Sequence, residues 1–375
     1  MTVPSNSFDH TNPDHQFWWE MCSPSIKALF RHSGTYTAKQ QQDHLNWFRD
    51  IAVPSLGQRP SSTYRLSSLL NWEGSPYRPS WNFSGSGSST VRLGFDPIGP
   101  QTGTDADPFG QRYLERTNPV FAQSSNPVAD MTWFDEIASS MYLTPEEEAN
   151  LHAKWPAGQP RPPHHFLAWG CKGSEREFKP YFHPMLKAAA TGRSVHQVTY
   201  DGARAVSTLG DELKPTIDLL EDFHVSRADI MTPLLVAVDC IEPVKSRLKI
   251  YAMAQSNAFN VMRDSMTLGG QKTDPETLRG VDCLESIYHL LMGEKRPLSP
   301  STTKKGWSTS KTHQATILSW EMKPGRLMPE VKIYLPMWQF AQSEAAIVDN
   351  MGEIFRGFGW NDAARMYGPA LQEAL

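Results

Sequence analysis

The sequence predicts an α+β fold in which antiparallel strands make a β-barrel surrounded by helices, built from repeated helix–strand–strand–helix units. Three observations predict it. An order of helix, strand, turn and strand returns four times, with hairpins at about 80–95, 166–182, 234–253 and 316–335. The tripeptide Lys-x-Tyr stands in three of them, as Lys179-Pro180-Tyr181, Lys249-Ile250-Tyr251 and Lys332-Ile333-Tyr334. Strand side chains alternate between faces, so each Lys and Tyr share one, joined in the middle copy by Arg247. Such polar positions on strands otherwise covered by amphipathic helices need a polar interior, which a barrel lumen supplies.

The elements follow in order. Phe17-Trp18-Trp19 opens a helical spacing through Ile26, Leu29 and Phe30, and a second continues through Leu45, Phe48 and Ile51 to Val53-Pro54. Ser80 to Phe83 and Thr90 to Phe95 flank a Gly/Ser turn and make the first hairpin, whose central cation is Arg92. A polar Gly/Asp/Pro-rich loop, Pro97 to Phe109, leads to helical stretches from about 110 and around Met131 to Leu151. The second hairpin pairs Phe166–Trp169 with Phe178–Phe182. Helix 211–223 precedes the strand runs Leu234 to Cys240 and Arg247 to Met253. Helix 276–292 precedes Thr316 to Met322 and Val331 to Leu335, and the basic loop Lys304 to Lys311 between them reads as solvated. Two further helices, 347–358 and 362–375, close the chain with no strand pair after them. The last unit therefore reads as incomplete, in a chain of one domain over 15–375 behind a disordered segment 1–14.

Composition narrows the function. With 39% hydrophobic and 20% charged residues the chain supports a sizeable core, and a net charge of −4 argues against general nucleic-acid binding. The four cysteines are far apart and read as buried thiols in a reducing compartment. No apolar window approaches a membrane span and the start lacks a signal-peptide pattern, so the expectation is a cytoplasmic protein with no membrane partner. A homodimer is open to it. His164-His165 with His183 match no metal-ligand spacing, and no paired-Asp DDxxD motif, P-loop or GxGxxG fingerprint occurs.

What remains is an anion site. Arg92, Lys179, Arg247, Lys249 and Lys332 converge if the strands close, and so much positive charge is costly without a bound polyanion such as a diphosphate. Tyr181, Tyr251 and Tyr334 would stand beside it, where aromatic faces stabilise a cation and exclude water.

These residues resemble the fungal dimethylallyltryptophan synthase family of aromatic prenyltransferases. The resemblance rests on WEGSPYRPSWNF (72–83), VRLGFDP (91–97), GTDADPF (103–109), FKPYFHP (178–184), ELKPTIDLLEDFH (212–224), RLKIYAM (247–253), TLGG (267–270) and PEVKIYLPM (329–337). It implies a ten-stranded barrel where a prenyl diphosphate and an aromatic acceptor meet in the lumen. No cofactor and no metal are implied; the prenyl diphosphate, dimethylallyl by the resemblance, is a co-substrate. It implies that Arg92, Lys179, Arg247, Lys249 and Lys332 bind the diphosphate and that Tyr181, Tyr251 and Tyr334 shield the allylic cation. An electron-rich ring would attack that cation and then lose a proton.

Two departures qualify what the resemblance implies. Arg78 stands where indole-acting relatives place a Glu that accepts the indole N–H, and Arg cannot accept, so Arg78 points towards a phenolic or polyketide-type acceptor. Lys172 lies near a family lysine that takes up the proton. The family continues past the last helix into a strand pair, and eight strands in place of ten would leave exposed edges and admit water. The alternative is a truncated, non-catalytic relative that binds prenyl diphosphate or acts as a scaffold.

Overall fold

Eight strands pair in chain order, β1 to β8, in the computed structural model, which describes residues 7–62, 68–71, 73–83, 89–156, 162–307 and 315–375. They are β1 (Tyr77–Phe83), β2 (Ser89–Phe95), β3 (His165–Lys172), β4 (Glu175–Phe182), β5 (Met231–Val238), β6 (Leu248–Ala254), β7 (Thr316–Met322) and β8 (Glu330–Tyr334). The ladders β1–β2, β2–β3, β3–β4, β4–β5, β6–β7 and β7–β8 are antiparallel. This is the predicted α+β architecture of hairpins separated by helices. The expectation for residues 1–6 lies outside the described residues.

The chain forms two compact units. The first is residues 1–208 with 236–246 and 372–375; the second is 209–235 with 247–371.

In the first unit, α1 (Pro13–Ser33) starts where the Asn12 side chain accepts from the backbone N–H of Asp14 and His15, inside the segment expected to be disordered. It ends at Gly34, whose φ of 67° is a left-handed cap that suits glycine. A Thr37–Gln40 capping box opens α2 (Ala38–Trp47). After α3 (Gln111–Gln123), the expected single pattern over Met131 to Leu151 is two helices, α4 (Thr132–Met141) and α5 (Pro145–Lys154). The Thr144–Glu147 capping box restarts the chain there. Two short helices that the sequence reading passed over, α6 (Met185–Thr191) and α7 (Val195–Arg204), follow β4.

The register sorts strand residues by face. Trp169 of β3 stacks on Phe95 at 5.2 Å and meets Trp47, Phe121 and Phe178, so odd-numbered β2 and β3 positions form the core with α2 and α3. On the opposite face, Arg78 pairs with Gly94, Gly94 with Ala168 and Ala168 with Lys179, while Arg92 pairs with Ser80 and Gly170.

The second unit holds α8 (Lys214–Val225), α9 (Phe259–Met266), α10 (Pro275–Leu291), α11 (Glu344–Gly357) and α12 (Asn361–Ala374). Trp320 of β7 is buried against Phe223 and His224 of α8. Its other face carries Lys249 opposite Glu321, Tyr251 opposite Ser319 and Ser319 opposite Lys332. β8 has no fully buried position.

The described residues contain no helix long and apolar enough to cross a membrane. Three cysteines are buried, but Cys283 is exposed on α10, correcting the expectation of four buried thiols: it lies off the apolar stripe that buries Val281 and Tyr288. The loop from Lys304 is described only in part, and Lys304 itself is an anchor, donating to Met292 O, Glu294 and Phe340 O.

Candidate active site

Lys179 is the most enclosed of the predicted cations, its side chain only 6% exposed. It lies across β3, made possible by Gly170: a β-carbon there would meet Lys179 Cε at 3.3 Å. Its ammonium is 2.9 Å from Glu177, two residues earlier on the same face, and 3.2 Å from Asp239, whose side chain has no exposed surface. Tyr181, two residues on, is buried and stacks on Phe166 at 4.4 Å. Pro180 between them has no N–H to donate, and the β4–β5 ladder consists of Tyr181↔Ala237 and Phe182↔Val236.

Arg92 is half-buried on the same face and makes no ion pair among the described residues. Arg78 is exposed on β1, in the same alternating set as Ser80 and Asn82. Lys172 ends β3 opposite Glu175 and is exposed beside the turn.

The second unit gathers the other five residues. Lys249 and Tyr251 are buried on β6. Glu321 of β7, 3% exposed, is the hub: Arg247 Nη1 donates to its Oε2 at 2.8 Å and Lys332 Nζ donates to its Oε1. Burial pushes the Glu321 carboxyl up, but the charges of Lys249 and Arg247 and the bond from Lys332 outweigh this and hold it below its ordinary range. Tyr251 and Tyr334 lie with ring centroids 5.9 Å apart.

These carboxylates correct one step of the sequence argument. The cations do not stand as uncompensated charge that demands a polyanion, because Glu177, Asp239 and Glu321 neutralise much of it in the protein itself. The signal was present in the chain. Glu177 and Glu321 occupy the same alternate positions as the lysines, and Asp239 ends an otherwise apolar run.

The histidines are core residues. His164, His165 and His183 are all buried, and burial lowers the pKa of each, to about 3 for His164 and about 4 for His183. His165 Nε2 bonds the Tyr142 hydroxyl at 2.8 Å. Among the described residues no group of three or more His, Cys, Asp or Glu is placed to hold a metal ion. A separate cavity of about 600 Å³ in the first unit is lined by Asn118, Phe134, Tyr142 and Lys187, and by none of the predicted site residues.

Comparison with known proteins agrees with this arrangement of strands. The family model described as tryptophan dimethylallyltransferase matches residues 14–370. The chain is 32% identical to the indole diterpene prenyltransferase terF of Tolypocladium album, over 95% of this chain and 86% of that protein. It is likewise 32% identical to the indole prenyltransferase tdiB of Emericella nidulans, over 96% and 88% of the two. The crystal structure of NotF in complex with brevianamide F and DMSPP matches at a TM-score of 0.81 and 22% identity, over 100% of this chain and 90% of that one.

Proposed function

Because the chain belongs to the tryptophan dimethylallyltransferase family, a family of prenyltransferases, we propose that it transfers a dimethylallyl group from its diphosphate to an electron-rich aromatic acceptor. Arg92, Lys179, Arg247, Lys249 and Lys332 bind the diphosphate and stabilise it as a leaving group without a metal ion. Tyr181, Tyr251 and Tyr334 present ring faces to the allylic cation. The bond to diphosphate breaks first, the electron pair leaving with the diphosphate; the acceptor ring then attacks the allylic cation, forming the new carbon bond, and loses a proton to restore aromaticity.

The observation that carries this reading is the Glu321 cluster. Two cations sit on one buried carboxylate beside Lys249, with Tyr251 and Tyr334 on the same face. Cations held in place by the protein need little reorganisation when a phosphate oxygen arrives.

The names of the two relatives put indoles first among acceptors. Arg78 is a donor only, so an indole N–H would find its acceptor elsewhere, while a phenolic oxygen could accept from Arg78. The test is product analysis with dimethylallyl diphosphate and a panel of indoles and phenols in metal-free buffer containing chelator. The expected result is a prenylated product with at least one acceptor. Binding of the diphosphate with transfer to none would favour a non-catalytic binding protein, and neither binding nor transfer would overturn the reading.

A further inference from the structure

Glu321 is the one buried carboxylate among the polar-face residues of β6, β7 and β8. Its neighbours are Arg247, just before β6, Lys249 of β6, and Lys332 and Glu330 of β8; Glu330 is turned to Lys323, 2.7 Å from its ammonium. The phenols of Tyr251 and Tyr334 complete the titratable groups on that face. One residue row along, Ser319 Oγ is buried with no hydrogen-bond partner among the described residues, opposite both Tyr251 and Lys332. A polar group buried without a partner is costly, and a bound ligand would relieve it.

The two oxygens of Glu321 face different cations: Oε2 holds Arg247 and Oε1 holds Lys332. The guanidinium and the ammonium are thereby held apart by the width of one carboxylate. Lys332 is 42% exposed, and this bond to Glu321 restrains its four-carbon stem.

We propose that Glu321 is a positioning residue of the diphosphate site, whose two oxygens hold Arg247 and Lys332 at a set spacing beside Lys249 for an arriving diphosphate. The assignment rests on the reading of the preceding subsection.

The experiment is calorimetric titration of dimethylallyl thiolodiphosphate into the whole chain at about pH 7.5, comparing the wild type with Glu321→Gln, Glu321→Asp, Lys332→Met and the Glu321→Gln/Lys332→Met double variant, with folding checked by near-ultraviolet circular dichroism. Gln keeps the length but loses the charge that holds both cations, and Asp keeps the charge but is one methylene shorter and cannot span both, so each should bind about threefold or more weakly. Because Glu321 acts through the cations it holds, the double variant should lose less affinity than the product of the two single losses. A folded Gln or Asp variant of wild-type affinity would overturn the proposal, as would strictly multiplicative losses. If the Gln variant fails to fold, the Asp variant decides. A wild-type chain that binds no analogue refutes the diphosphate reading itself; one that binds, with unaltered variants, refutes only the role of Glu321.

Discussion

Replacing Lys179 by methionine separates its two roles, partner of a buried acid and ligand of the diphosphate. Met preserves most of the stem's volume and removes the ammonium 3.2 Å from Asp239, a carboxylate with no exposed surface. Removing one partner of a buried ion pair costs about 3–5 kcal/mol. Glu177, a third exposed, adds little to that figure because solvent screens it. Lys179→Met should therefore lose about 3–5 kcal/mol in urea denaturation followed by tryptophan fluorescence. The double variant Lys179→Met/Asp239→Asn should recover most of it, since no charge is then left buried alone, with a coupling energy of at least about 2 kcal/mol across the four-protein cycle. Affinity for dimethylallyl thiolodiphosphate behaves differently. It should fall by roughly 10- to 100-fold in both variants, the worth of a charged hydrogen bond. A single variant within about 0.5 kcal/mol of the wild type would refute the buried pair. A double variant that regains affinity would refute Lys179 as a phosphate ligand.

Three further outcomes are expected. Tyr251→Phe should keep nearly full turnover while Tyr251→Ala loses about tenfold in kcat and releases more prenyl alcohol, because the ring face does the stabilising; equal turnover in both, read by product chromatography, would refute the shield. Burial lowers the pKa of His164 and His183 to about 3 and about 4, so stability should hold above about pH 6.5 and fall as pH drops from there towards 4, by up to ~1.4 kcal/mol per pH unit for each histidine. Equal urea midpoints at pH 7.5 and 5, or a slope unchanged in His183→Gln, would count against it. A thiol reagent should titrate one of the four cysteines quickly in the native protein, Cys283, and all four after unfolding; fast labelling in a Cys283→Ser variant would contradict the burial of the others.

Much of this was legible in the chain because a strand's two-residue period is strict. Lys179 with Tyr181, Lys249 with Tyr251 and Lys332 with Tyr334 share faces as the alternation requires, and the register aligns them with Ala168, Ser319 and Glu321 without a slip. The same period would have exposed Glu177 and Glu321 as members of the polar face, yet an acid near a lysine on a single strand reads as ordinary surface. Only the register brings Glu321 between two neighbouring strands. Asp239 was less accessible still, since its meeting with Lys179 depends on the pairing of β4 with β5. The short helices α6 and α7 escaped because seven to ten residues give too few turns for the 3.6-residue period to stand out, although the Ser194–Gln197 capping box marks the start of α7.

The bare backbone of β3 at Gly170 bears on binding entropy. Lys179 lies against it with its stem enclosed, so the side chain has given up its rotamer freedom when the protein folds, a loss of about 1.5–2 kcal/mol for lysine. An anion arriving at that ammonium orders nothing further. Lys332, much more open to solvent, retains motion that any ligand must still quench. Two lysines in the same tripeptide would thus contribute unequally to affinity, and the difference originates in a glycine on a neighbouring strand that carries no chemistry of its own.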